Sequence, residues 1–174
     1  GKSLRTVKTC AGSQWCRFGT QDAIDLGIKL EQMSWGSWMP HKFKMAVSGC
    51  PRNCAEATIK DFGVISVDSG YELHVGGNGG IEVRVTDLLC SVETEEEVLE
   101  YSAAFIQLYR EDARYLERTA PWVERVGWTL LHSLWQITLI AVLHALVTAT
   151  LRKQAARLRY FTGCVALLAM ICIP

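Results

Sequence analysis

Apolar residues repeat at helical spacing in two parts of the chain. The first repeat predicts a helix over residues 21–33 with Thr20 as its cap, and the second predicts a helix from Thr94 to about Arg118, ended by Pro121. The second helix opens on Thr94-Glu95-Glu96-Glu97, a capping box with acidic residues in the first turn. The apolar positions are Ala23, Leu26, Leu30 and Met33 in the first helix, and Val98, Phe105, Ile106, Tyr109, Ala113 and Leu116 in the second.

Shorter apolar runs between turn residues predict β-strands. The runs cover residues 42–47, 64–67, 71–75 and 81–85. Asp68-Ser69-Gly70 joins the second run to the third, which predicts a hairpin. The run Gly76-Gly77-Asn78-Gly79-Gly80 has two interpretations, a mobile hairpin loop or a backbone that approaches a large ligand closely. Together with the two helices, these strands predict an α+β fold for residues 1–125.

The pattern changes after the second helix. Residues 126–151 form a long stretch without a single charged side chain. At ~1.5 Å per residue, a helix of this length exceeds the ~30 Å hydrocarbon thickness of a bilayer. Trp128 and Trp135 near its start and Arg152-Lys153 after its end are typical of interfacial anchors. We therefore predict a transmembrane helix, the alternative being a buried helix of a soluble protein. Residues 160–174 are apolar but too few to span, so we interpret residues 127–174 as a truncated membrane hairpin.

Charge is distributed unevenly, although the net charge of the 174 residues is zero. Residues 1–126 carry 14 basic and 18 acidic side chains, whereas residues 127–174 carry four basic and no acidic ones. There is no basic stripe with interleaved aromatic residues, so the sequence indicates no nucleic-acid partner. The positive-inside rule places residues 152–159 in the cytoplasm and, with a single crossing, residues 1–125 outside it.

Four of the seven cysteines form two close pairs. Cys10 and Cys16 are separated by five residues and Cys50 and Cys54 by three, and residues 17–49 lie between the pairs. Two such loops supply four thiolates, a complete ligand set for an iron–sulfur cluster. Three alternatives stay open here: disulfides, which need an oxidising compartment; structural zinc, whose paired ligands usually lie about two to four residues apart; and unrelated buried cysteines. The remaining cysteines are interpreted as inert core or membrane thiols, namely Cys90, Cys164 and Cys172.

Three segments together resemble one protein family. They are Thr9-Cys10-Ala11-Gly12 through Cys16-Arg17, Gly49-Cys50-Pro51-Arg52-Asn53-Cys54-Ala55-Glu56-Ala57, and His74-Val75-Gly76-Gly77-Asn78-Gly79. On these segments, residues 6–126 are similar to the C-terminal part of assimilatory NAD(P)H nitrite reductase large subunits, in the sirohaem nitrite/sulfite reductase superfamily. The resemblance implies the cluster-binding part of an α+β oxidoreductase domain that reduces nitrite to ammonia, or sulfite to sulfide in relatives.

The resemblance also implies the cofactors and their ligands. A [4Fe–4S] cluster is held by four cysteines, and the last of them, Cys54, is shared with the iron of a sirohaem. Arg52 and Asn53 in the second cysteine loop are candidate sirohaem contacts, and Asn78 is a candidate contact at the rim of the macrocycle. No catalytic residue is assigned. The cluster ligands that the resemblance implies are Cys10, Cys16, Cys50 and Cys54.

Whole enzymes of this family contain parts that these residues do not supply. The resemblance implies upstream domains for FAD and NAD(P)H, and a preceding half of the sirohaem domain that holds the substrate. It further implies a cytoplasmic module whose partners are nitrite, a small subunit and those upstream domains. We expect the isolated chain not to reduce nitrite, because few basic residues are available locally. They are Arg17, Lys42, Lys44 and Arg84.

Residues 127–174 resemble a second family. The segments 127–136 and 156–160 are similar to the first membrane hairpin of BlaR/MecR-type antirepressor metallopeptidases. The zinc-binding H-E-x-x-H motif of that family does not occur in the sequence, so no peptidase activity is implied. The alternative hypothesis is therefore a membrane fragment of a sensor peptidase that carries a non-functional, metal-free passenger domain. A junction of two gene fragments near residues 120–127 would account for both resemblances.

Overall fold

The computed structural model describes residues 3–150 and 162–166. The strands are β1 Lys8–Thr9, β2 Met45–Ser48, β3 Phe62–Val67, β4 Gly70–Val75, β5 Asn78–Gly79, β6 Val83–Arg84 and β7 Asp87–Val92. The α-helices are α1 Gly12–Trp15, α2 Ile24–Ser34, α3 Glu95–Asp112 and α4 Thr119–Thr150, and a 3-10 turn covers Ala57–Ile59. By its internal contacts the chain divides into two units, Gly1–Val123 and Glu124–Pro174.

Five strands of the first unit form one mixed sheet in the order β1-β2-β3-β4-β7. The first three of these strands are parallel, and the β3–β4 and β4–β7 pairs are antiparallel. The central strands β2 and β3 are almost entirely buried, which explains why their sequences are continuous apolar runs rather than alternating ones. The predicted hairpin is confirmed, since β3 ends at Val67 and β4 begins at Gly70.

The strand β7 was not predicted. It contains Cys90, which lies opposite Leu73 of β4. The neighbouring Leu88 and Leu89 are consecutive and both exposed, 56% and 46%, so no alternating pattern marks the strand. The strand predicted over residues 81–85 is also shorter than expected, because only β6 pairs, and it pairs with β5 in a separate two-stranded sheet.

The helix α2 begins later than predicted. Its N-cap residue is Ala23, and the side chain that caps its first turn is that of the preceding Asp22. Asp22 Oδ1 accepts hydrogen bonds from the backbone N–H groups of Ile24 at 2.9 Å and Asp25 at 3.4 Å. Thr20 does not cap the helix, because its own N–H donates to Gly49 O at 2.7 Å and holds residue 20 in the preceding loop. The carboxylate of Asp22 therefore satisfies the free amides of the first turn.

The helix α3 has the predicted capping box but ends earlier than expected. Glu97 N donates to Thr94 Oγ1, and the Glu97 carboxylate accepts from Thr94 N in return. The helix stops at Asp112, because the chain then turns through Leu116, whose φ is +71° and whose N–H donates to Pro40 O. The expectation that Pro121 ends this helix is wrong: Pro121 lies in the first turn of α4, where its missing N–H costs nothing.

An aromatic cluster forms the core between the sheet and α3. The neighbouring ring centroids lie 5.3–6.3 Å apart, within the usual range for stacked or edge-to-face pairs. The Trp122 side chain is 2% exposed and its Nε1–H donates to Asp112 Oδ2 at 2.7 Å, so the start of α4 belongs to this core. The rings are those of Phe43, Phe62, Phe105, Tyr109 and Trp122.

Beyond Val123, α4 continues to Thr150 with most of its side chains exposed. Among the described residues it is the one helix whose length and composition would allow it to cross a membrane. The predicted basic anchor at residues 152–159 lies outside the described residues, as does Cys172.

Candidate metal centre

The two cysteine pairs lie in loops that leave the same edge of the sheet. Cys10 directly follows β1, and Cys50 follows β2 after one intervening residue, Gly49. The strands β1 and β2 are parallel, with Thr9 opposite Val47. The carboxyl ends of parallel strands meet at one edge of a sheet, and ligands commonly bind there in open sheets. The strand pairing thus brings together two segments that are far apart in the sequence.

Hydrogen bonds from Gly49 join the two loops. Its N–H donates to Cys10 Sγ at 3.1 Å, and its carbonyl accepts from Thr20 N at 2.7 Å and Gln21 N at 3.2 Å. The first loop, residues 10–21, is therefore bound at both ends to the start of the second loop, residues 49–54. Cys10 Sγ therefore has a backbone donor at the junction of the two loops.

The close approach of the loops requires glycine at two positions. A Cβ on Gly49 would lie 2.8 Å from Gly12 Cα and 2.9 Å from Gln21 O, both shorter than side chains tolerate. Gly12 has a φ of +63°, and a Cβ there would lie 2.6 Å from Ala23 N. Both glycines are thus used for direct backbone contact between the loops.

The second loop is a tight turn stabilised by Asn53. This residue has a φ of +57°, a left-handed conformation that asparagine tolerates, and its N–H donates to Cys50 O at 3.2 Å. Its Oδ1 accepts from Ala57 N at 2.6 Å, and its Nδ2 donates to Thr58 Oγ1 at 2.6 Å. The amide therefore has a structural use within the loop, and its contact with a cofactor stays a prediction.

The four cysteines differ in exposure, and the described residues contain no disulfide between them. Cys50 is 7% exposed, Cys10 and Cys16 are partly buried, and Cys54 is exposed. Within residues 3–150 and 162–166, no three His, Cys, Asp or Glu side chains are grouped to hold a single metal ion.

A phenylalanine between the loops was missed at the level of sequence. The guanidinium carbon of Arg52 lies 3.8 Å from the centroid of the Phe18 ring, and that of Arg17 lies 4.5 Å from it. Both distances are within the range of cation–π contacts. One arginine comes from each cysteine loop, so Phe18 bridges them. The one available signal was an Arg-Phe pair directly after Cys16.

The glycine run forms the β5–β6 hairpin, and Asn78 closes it. Asn78 Nδ2 donates to Glu82 O at 2.7 Å, while Oδ1 accepts from Gly80 N at 3.1 Å and from Arg118 Nη1 at 2.6 Å. Both ends of the amide are therefore engaged within this unit. The predicted contact of Asn78 with a macrocycle rim stays a prediction.

Comparison with known proteins decides the family. The sequence model described as "Nitrite and sulphite reductase 4Fe-4S domain" matches residues 1–138. The chain belongs to this family. The match ends at residue 138, beyond the predicted end of the resemblance at residue 126, and so includes part of α4.

Named members of the family are much longer than this chain. The chain is 65% identical over 127 residues to "Nitrite reductase [NAD(P)H]" of Bacillus subtilis, covering 73% of the chain and 16% of that protein. It is 46% identical over 125 residues to "Nitrite reductase (NADH) large subunit" of Escherichia coli, covering 72% of the chain and 15% of that protein. The chain thus spans about a sixth of the length of these two oxidoreductases.

A solved structure has the same fold. The crystal structure of dissimilatory sulfite reductase I superposes with a TM-score of 0.65 at 18% identity, covering 75% of this chain and 51% of that one. The mixed α+β architecture is therefore that of nitrite and sulfite reductases. The identity is too low for this likeness to indicate more than the fold.

A polar cavity of about 160 Å³ lies at the other end of β2 in this reductase domain. Lys44 and Asp61 directly precede β2 and β3, and Lys42 and Arg118 complete the charged lining. Asp61 Oδ2 accepts from Lys44 N at 2.8 Å, and Oδ1 accepts from the Thr119 hydroxyl. Burial raises the pKa of the Asp61 carboxyl, and these hydrogen bonds partly oppose the rise.

Asp61→Asn should remove a pH-dependent loss of stability. Because burial raises the pKa of Asp61, the folded carboxyl binds its proton more tightly than the unfolded one, whose pKa is about 3.9. The free energy of unfolding of the wild type should therefore fall as pH rises above this value, until the folded carboxyl is also ionised. We expect the stability of Asp61→Asn relative to the wild type to increase from pH ~4 to ~7. Urea unfolding followed by tryptophan fluorescence measures it.

The matched control is Asp68→Asn, the same change in the exposed turn between β3 and β4. Its stability difference from the wild type should vary less with pH than that of Asp61→Asn. Equal pH dependence of the two variants would contradict this account of the buried carboxyl.

Proposed function

We propose that residues 1–125 are the cluster-binding module of a sirohaem nitrite reductase, in which Cys10, Cys16, Cys50 and Cys54 hold a [4Fe–4S] cluster. The observation that carries the proposal is the junction of the two cysteine loops at one sheet edge, with Gly49 N–H donating to Cys10 Sγ. The family of the chain, which is described by its 4Fe–4S domain, supports the same cofactor. Four free thiols with a backbone donor suit the thiolate set that such a cluster needs.

Exposure of the cysteines supports different roles within the set. Cys50 is buried beneath its loop, whereas Cys54 is exposed. An exposed thiolate at the edge of the site is available to a second metal, and we assign to Cys54 the bridge to a sirohaem iron. Arg52, in the same loop, is exposed and is proposed to contact the acidic groups of that macrocycle. Asn53 and Asn78 are weaker candidates, because hydrogen bonds within the domain already occupy their amides.

When bound, the cluster and sirohaem supply one-electron transfer and a metal site for the six-electron reduction of nitrite to ammonia. The residues of this chain provide a hydrogen bond and positive charge at the site. The Gly49 amide donates a hydrogen bond to the sulfur of Cys10, and Arg17 and Arg52 place one positive charge on each cysteine loop. Electrons would come from NAD(P)H, as the names of the relatives suggest, and the resemblance implies that they pass through FAD in other parts of the longer protein. Sulfite is the alternative substrate, since the family includes sulfite reductases.

The helix α4 requires a separate proposal. We propose that α4 spans a membrane when the full chain is made, because its uncharged part exceeds the bilayer thickness. The cysteine module itself is proposed to work in the cytoplasm, where an oxygen-sensitive cluster is kept reduced. This orientation is opposite to the one that the positive-inside rule predicts for a single crossing. The resemblance of residues 127–174 to antirepressor peptidases, and with it the alternative of a sensor fragment, stays a prediction.

Iron binding tests the main proposal. The full chain, purified without oxygen in mild detergent and treated with iron and sulfide, should bind about four irons and about four sulfides. Each of four single variants removes one thiolate and should reduce the iron content to less than about half of the wild-type value. The variants are Cys10→Ser, Cys16→Ser, Cys50→Ser and Cys54→Ser. The control is Cys90→Ser, which should keep the wild-type content because Cys90 lies inside β7, away from both loops. Equal iron loss in Cys90→Ser and the four loop variants would overturn the proposal.

The isolated chain should not reduce nitrite. Lys42 and Lys44 precede β2, whereas Cys50 and Cys54 follow it and the other two cysteines follow the parallel β1. These basic residues and the thiols therefore lie at opposite ends of a strand about 13 Å long. Arg84 is held by Gly76 O at 2.6 Å and Asp87 at 2.8 Å. After loading with cluster and sirohaem, and with dithionite as reductant, nitrite should disappear no faster than in a blank with free sirohaem. Sustained turnover above that blank would contradict this expectation.

Charges in the middle of α4 should abolish membrane retention. Leu139→Arg with Leu143→Arg places two charges at the centre of the apolar stretch, at a cost of about 2.5–3.5 kcal/mol each. The wild type should stay in the membrane pellet after alkaline carbonate extraction, and this variant should be released. The control, Thr148→Arg with Thr150→Arg, carries the same charges at the helix end, where they reach the interface. Release of the wild type would refute the membrane proposal.

A further inference from the structure

Two positive charges meet on one aromatic ring between the cysteine loops. The guanidinium carbons of Arg17 and Arg52 lie 4.5 Å and 3.8 Å from the centroid of the Phe18 ring. The ring is 44% exposed, so it is not simply part of the hydrophobic core. Its face attracts each guanidinium, and this attraction holds side chains from both loops at one place.

Each of these arginines belongs to a different cysteine loop. Arg17 directly follows Cys16, and Arg52 lies between Cys50 and Cys54. Each guanidinium is therefore carried by a loop that supplies two thiols. In the described part of the chain, neither Arg17 nor Arg52 forms an ion pair with a carboxylate.

The acidic residues closest in sequence are engaged elsewhere. Glu56 forms ion pairs with Lys8 and Lys60, each at 3.0 Å. Asp22 caps α2 and accepts a hydrogen bond from the Gln14 amide. Two like charges gathered on one ring repel each other, and no carboxylate in the described residues pairs with them to offset that repulsion. An anionic group bound between the loops would offset it.

We propose that Phe18 is a positioning residue that holds Arg17 and Arg52 beside the cluster and thereby raises its reduction potential. The inference rests on the proposed function, because it requires a cluster between the loops. A cluster with four thiolates is anionic, and one-electron reduction adds a further negative charge to it. Fixed positive charge stabilises the reduced cluster more than the oxidised one, because the reduced cluster carries the larger negative charge. The reduction potential therefore rises. Neither arginine donates or accepts the electron.

The test is a redox titration of the iron-loaded full chain with dithionite, followed by the electron paramagnetic resonance signal of the reduced cluster. Replacing Arg17 and Arg52 together by Gln should lower the ratio of reduced to oxidised cluster about tenfold at a fixed ambient potential, or about 59 mV for one electron. Phe18→Leu, which keeps an apolar side chain but removes the ring face, should shift the potential in the same direction. Phe18→Tyr keeps the face and should restore the wild-type potential.

The charge control is Arg110→Gln, which removes one positive charge from α3 and should leave the potential unchanged. Iron content is measured for every protein. A wild-type chain without iron would overturn the proposed function, and this inference with it. Iron-loaded variants of Arg17, Arg52 and Phe18 with the wild-type potential would overturn the inference alone. If Phe18→Leu loses its iron, the double arginine variant alone decides. The inference is overturned if that variant keeps its iron and has the wild-type potential.

Discussion

The parallel pairing of β1 with β2 is the constraint on which the candidate site depends. The two cysteine pairs are distant in the sequence, and they share one sheet edge because Thr9 lies opposite Val47. The backbone of Gly49 then joins the loops through three hydrogen bonds. A shift of the register by one residue would reverse the faces of β1 and move Cys10 away from the Gly49 amide.

The loops are pre-shaped by interactions that do not involve a cofactor. Glycines allow the two backbones to come into contact, and the Asn53 side chain stabilises the second turn. The Phe18 ring contacts one guanidinium group from each loop. The two loops thus carry one backbone donor to a cysteine sulfur and two guanidinium groups. The proposed site for an anionic metal cluster rests on these features.

Much of the fold followed from local patterns, and the failures have physical causes. The capping box at Thr94, the β3–β4 hairpin and the left-handed Asn53 were predictable because each depends on a few neighbouring residues. The strand β7 was missed because its pairing with β4, not its own sequence, makes it a strand. The end of α3 was missed because it depends on a long-range hydrogen bond from Leu116 to Pro40.

The site was predictable to a similar degree. The spacing of the cysteines and the resemblance they support led to the correct family, which the match over residues 1–138 confirms. The hydrogen bonds of the Asn53 and Asn78 side chains within the domain were not predictable. They depend on how the side chains are oriented in the folded structure, which the spacing of residues in the sequence does not reveal. Phe18 was overlooked for the same reason, since its second arginine, Arg52, belongs to the other cysteine loop.

Anomalous diffraction at the iron edge, from crystals of the anaerobically prepared chain, would show whether the two loops share one cluster. We expect one compact group of four iron peaks between the loops, with each of Cys10, Cys16, Cys50 and Cys54 bonded to a different iron. Iron bonded to the cysteines of one loop only, or a single metal ion in place of the group, would contradict this expectation.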